Sequence, residues 1–100
     1  MNHEYKMQRL RAIFDRCLEI ADKKGKDYSG TTDSMSNFKD FGSMGIIVRL
    51  GDKYHRMKNL VKNGNNHVGE SLDDTLYDNI NYSALALVMR EIEAAEEEVI

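Results

Sequence analysis

The chain has 100 residues, enough for one small domain with one modest core, and its 41% apolar and 31% charged content is ordinary for a soluble globular protein. A net charge of −3 offers no general attraction to nucleic-acid polymers or acidic membranes. The lone cysteine, Cys17, excludes an internal disulfide framework and a thiolate zinc cluster. No apolar run approaches the ~20 residues of a membrane span. The N-terminal Met-Asn-His-Glu-Tyr-Lys lacks an apolar signal segment, so the expected location is the cytoplasm.

The first helix is expected from Glu4 to about Lys24. Met7, Leu10, Ile13, Phe14, Cys17, Leu18 and Ala21 recur at helical spacing, with charges of both signs between them. Cys17 lies among these apolar positions and is read as buried and inert. Gly25, after Lys23 and Lys24, is a natural stop. The connection from Gly25 to Gly42 carries turn residues through Ser34, and a short helix around Ser34 to Phe41 would tuck Met35, Phe38 and Phe41 inward. Loops of this length are usually functional or disordered, and the aromatics Tyr28, Phe38 and Phe41 argue against disorder.

A second main helix is expected from Ser43 to about Lys62, with Ile46, Leu50, Tyr54, Met57 and Val61 as its apolar face. Arg49, Asp52, Arg56 and Asn59 form a second stripe, roughly opposite. Taken alone, such a stripe is a solvated face with ion pairs one turn apart. Asn63 to Gly69 is a turn, and His67 in it has no ligand-like neighbour at helical spacing. The last helix starts near Ser71, where Ser71 and Asp74 form a capping box, and runs to the C-terminus, acidic beyond Arg90. The expected fold is all-α: one domain over residues 1–100, a small bundle of three main helices plus a short one. Its thin core calls for a homodimer or homotetramer, buried through the first and last helices.

The start of the last helix breaks the ordinary pattern. Asp74 and Asp78 share a stripe with Asn81, Tyr82, Leu85, Val88, Met89 and Ile92. Two carboxylates on a core-facing stripe repel and lose hydration unless a cation or basic side chains answer them. Arg49, Lys53 and Arg56 on the preceding helix suit phosphate oxygens. Asp52, Glu70, Asp74 and Asp78 are candidate Mg²⁺ ligands, since a hard cation wants oxygen donors. Acids, a cation and arginines together are what a nucleoside polyphosphate requires.

Three runs carry a resemblance. Lys-Gly-Lys-Asp-Tyr (24–28), Arg-Leu-Gly-Asp-Lys-Tyr-His-Arg-Met-Lys-Asn-Leu (49–60) and Glu-Ser-Leu-Asp-Asp-Thr-Leu-Tyr-Asp-Asn-Ile-Asn-Tyr (70–82) resemble nucleotide modification associated domain 1, formerly a domain of unknown function. That family is similar to the MazG-like all-α nucleoside triphosphate pyrophosphohydrolases. The resemblance covers about Lys23 to Val88. It implies an oligomeric all-α fold with a nucleotide pocket between helices, and Mg²⁺-dependent cleavage of a nucleoside triphosphate to monophosphate and pyrophosphate. Small members are often carried by bacteriophages. The MazG pattern has two acid pairs, each spaced three apart. Here Asp74 and Asp78 are four apart and Asp52 stands alone.

Two functions follow as expectations. In the first, Asp52, Asp74 and Asp78 are catalytic and hold Mg²⁺ with Glu70, while Arg49, Lys53 and Arg56 steady the phosphates. Tyr28, Asn37 and Phe38 then recognise base or sugar, with Lys26, Asn81 and Tyr82 as further nucleotide-binding candidates. In the alternative, the pocket binds without reacting, and the protein sequesters or senses a nucleotide, such as a signalling nucleotide. A third, plainer possibility is a helical oligomer whose acids pair with arginines across an interface.

Overall fold

The structure is a computed structural model that describes residues 1–28, 33–63 and 71–99, with residues 26–28 and 99 described by backbone alone. All regular structure among the described residues is helical: α1 (His3–Tyr28), α2 (Ser36–Lys39), α3 (Gly42–Asn63) and α4 (Leu72–Val99). The fold is all-α, with the expected elements in the expected order. The chain divides into two compact units, Met1–Ser34 and Met35–Ile100.

The first unit is α1. The Asn2 side chain starts it: its Oδ1 accepts from the Tyr5 N–H at 2.8 Å, answering one of the unpaired amides of the first turn. The helix runs through Gly25, which was expected to stop it. Gly25 does not adopt the left-handed conformation that ends helices, and an interior glycine costs a helix only about 1 kcal/mol. Cys17 is buried at 3% exposure. Burial pushes its thiol above the ordinary range, partly offset by a backbone hydrogen bond, in keeping with an inert cysteine. Tyr5, Leu10, Phe14 and Leu18 stay exposed along the same helix.

The second unit is an antiparallel hairpin of α3 and α4, with α2 packed against α3. Its register is fixed by cross-helix contacts: Ser43 meets Glu93, Lys53 meets Asp78, and Met57 meets Asn79. The core is Ile46, Ala86 and Met89, flanked by Met35, Phe38, Tyr82, Leu85 and Ile92. Burying Ile46 at 1% exposure contributes roughly 2–3 kcal/mol. Leu60 and Thr75 are buried toward the other end of the hairpin.

Three local expectations are corrected. The inward positions of α3 are Ile46, Leu50, Lys53, Met57 and Leu60, while Tyr54 and Val61, read as core, are exposed. The cause is the partner helix. A seam between two long helices repeats every 3.5 residues, so the fourth-residue steps to Tyr54 and Val61 leave it. Phe41 was expected to tuck inward with Met35 and Phe38 but is 81% exposed. It sits in the turn before Gly42, whose φ of +64° swings the chain into α3 and leaves Phe41 outside. Val88 also lies outward, at 40% exposure, and Ala86 takes the buried place.

Candidate functional site

Helical spacing puts Arg49, Lys53 and Arg56 on one flank of α3. The same spacing puts Asp74, Asp78 and Asn81 on one flank of α4. The helices run antiparallel and Lys53 meets Asp78, so the two flanks lie on the same side of the hairpin. The Lys53 ammonium donates to Asp78 Oδ2 at 3.2 Å, with side-chain exposures of 20% and 11%. The same ammonium lies 5.6 Å from the centroid of the Tyr82 ring. One turn back along α3, the Arg49 guanidinium lies 5.7 Å from the centroid of Phe38 in α2. Two cations therefore stand over two aromatic rings, side by side on one face.

The acids expected to act together have separate surroundings. Asp78 faces inward, as its stripe required, and is answered by Lys53. Asp74 does not face inward: it is exposed and belongs to the helix cap. Its N–H donates to Ser71 Oγ at 3.0 Å, and its Oδ2 accepts from the Ser71 N–H at 3.3 Å. The pair satisfies two amides that the helix start leaves open, so Asp74's carboxylate is held at the cap. Asp52 is exposed on the outward side of the Arg49 and Arg56 stripe. Among the described residues no three His, Cys, Asp or Glu side chains gather as a metal site. Glu70 and the side chains of Lys26 and Tyr28 lie outside the described residues.

Phe38, through Arg49, and Tyr82, through Lys53, join the shared face. Phe38, Asn81 and Tyr82 are half-buried, while Asn37, Arg49 and Arg56 are exposed. Buried side-chain nitrogen and oxygen atoms among the described residues all have partners. Two residues matter that sequence reasoning passed over. Thr75 is fully buried, and its hydroxyl donates to the Ser71 carbonyl at 3.3 Å, tightening the first turn of α4. Glu93 accepts from the Ser43 N–H at 3.3 Å and so caps α3 from another helix. Its place eleven residues after Tyr82, three turns along α4, marks the side it faces, but nothing in the sequence pairs it with the Ser43 amide.

These features define an all-α protein built on an antiparallel helical hairpin with a cationic, aromatic-backed face. Residues 24–89 match the family model described as nucleotide modification associated domain 1, and the chain belongs to that family. No curated protein and no solved structure matches the chain. No helix among the described residues is long and apolar enough to cross a membrane.

Proposed function

We propose that this chain binds a nucleotide on the α2–α3–α4 face, with phosphates on Arg49, Lys53 and Arg56 and the base at the corner formed by Asn37 and Phe38. The observation that carries the reading is the pair of cation–aromatic contacts, Arg49 on Phe38 and Lys53 on Tyr82, set one turn apart. Guanidinium and ammonium groups bind phosphate oxygens, and an aromatic surface beside them stacks a base. The family's description, which ties it to nucleotide modification, supports the same ligand class.

Binding without hydrolysis, as in a protein that sequesters or senses a nucleotide, fits these residues better than a Mg²⁺-dependent pyrophosphohydrolase of MazG type. The described carboxylates do not suit a Mg²⁺ cage. Asp74 is held at a cap, Asp78 on Lys53, and Asp52 points to solvent on the other side of the arginines.

The reading includes a homo-oligomer. α4 is apolar nearly all round its middle, with Leu76, Leu87 and Val88 exposed, and a helix of that kind is normally enclosed. α3 exposes Ile47, Tyr54 and Val61 at seven-residue spacing, a ridge suited to another helix. α1 exposes an apolar stripe of its own. Second copies would cover these faces.

Thermal stability measured against a nucleotide panel, with and without Mg²⁺, tests the reading. A ligand at about 100 times its Kd adds roughly 2.7 kcal/mol. Stabilisation by one nucleotide without Mg²⁺, and recovery of that nucleotide intact, is the expected result. Release of pyrophosphate would return the hydrolase reading to first place. Phe38→Ala is expected to weaken the preferred nucleotide more than inorganic pyrophosphate; equal weakening would remove base recognition from this corner.

A further inference from the structure

Lys53 occupies an inward seam position of α3, in line with Ile46, Leu50, Met57 and Leu60. An apolar residue there would suit the hairpin at least as well, because a buried ion pair rarely adds stability over well-packed apolar side chains. The pair that replaces it is specific. Among the described residues the ammonium meets the Asp78 carboxylate and the Tyr82 ring. It also stands between Arg49 and Arg56 on the flank assigned above to phosphate. A phosphate chain laid along this flank from Arg49 to Arg56 would meet the Lys53 ammonium between them, and Asp78 already holds it.

Resting on the nucleotide reading, we infer that Asp78 is an internal stand-in for phosphate: the ligand displaces its carboxylate from Lys53, and this competition sets a threshold that highly charged phosphate chains overcome. Asp78 is a positioning residue that acts through Lys53. Its carboxylate brings one negative charge at 3.2 Å, in a part-buried setting where water competes weakly. Orthophosphate offers little more than the carboxylate it must replace. A triphosphate chain reaches Lys53 while its other groups hold Arg49 and Arg56, so it gains more than it displaces. The face thus discriminates by charge number without any base contact.

The probes are inorganic tripolyphosphate and orthophosphate, titrated by calorimetry at fixed ionic strength against wild type, Asp78→Asn and Lys53→Met/Asp78→Leu. Asp78→Asn keeps the shape and removes the competing charge. It is expected to bind both probes more tightly, by about tenfold or more, because neither then has to displace a carboxylate. The double apolar variant is expected to keep its helicity by circular dichroism and to lose tripolyphosphate binding. A structural role alone would change stability without tightening the binding of either probe. Unchanged or weaker binding by Asp78→Asn, with wild-type binding intact, overturns the stand-in role and leaves the nucleotide reading standing. Absence of binding by both wild type and Asp78→Asn overturns both.

Discussion

Ser71 and Asp74 exchange two hydrogen bonds at the start of α4, each backbone amide answered by the other's side chain. Ser71→Ala is therefore expected to cost about 1 kcal/mol in chemical denaturation, the usual worth of such a cap. An unchanged midpoint would show that water replaces the cap without loss. At the start of α3 the residues are more tightly constrained. Gly42 has φ +64°, and a Cβ there would lie 2.6 Å from Glu93 Oε2, the atom that accepts from the Ser43 N–H. Gly42→Ala is expected to cost about 1–2 kcal/mol from the backbone conformation alone. A loss matching that of Glu93→Ala, with no further loss in the double variant, would show that the two residues act as one clasp. The α4 cap was legible because Ser and Asp stand three apart beside a helical pattern. The Glu93 cap was not, because its amide partner lies 50 residues away in the chain.

Between elements, the seam of α3 and α4 decides which side chains meet. The three long helices were legible because apolar residues recur at helical spacing over twenty residues or more. The seam itself was not, because Lys53 interrupts the apolar series and Tyr54, its neighbour, offers a plausible substitute. Only the facing Asp78 explains why a lysine takes the inward place. The same fact explains why the candidate site was half legible: the basic stripe and Asp78 share a face, but Asp74, on the same sequence stripe, is held at a cap. Removing one partner breaks a part-buried ion pair, so Lys53→Met or Asp78→Leu alone is expected to destabilise by about 3 kcal/mol. The joint substitution should recover most of that loss in the same denaturation assay. Failure to recover would assign the pair to stability instead of ligand selection. Arg49 and Arg56 are exposed and are a contrasting case. Replacing both with Gln is expected to shift stability by less than about 1 kcal/mol while weakening tripolyphosphate binding.

Across the whole molecule, apolar surface exceeds what the described contacts cover. Phe14 and Leu18 on α1, Tyr54 and Val61 on α3, and Leu87 on α4 each expose more than half of their surface. Exposed apolar residues are ordinary when scattered, but these fall into stripes at helical spacing, the pattern expected of a surface that associates. Three long helices in 100 residues also leave a core too thin to be comfortable alone. If second copies complete the fold, stability must depend on protein concentration, because association and folding are then linked. The melting temperature is expected to rise with concentration, and sedimentation is expected to give a mass of two or four chains. Val61→Glu, on the exposed ridge of α3, should lower the mass without touching the Lys53 and Asp78 face, since it lies on the opposite flank of the helix. Leu87→Glu should do the same if α4's outer side is also covered. A mass of one chain at every concentration, with a melting temperature that does not move, would overturn the oligomer.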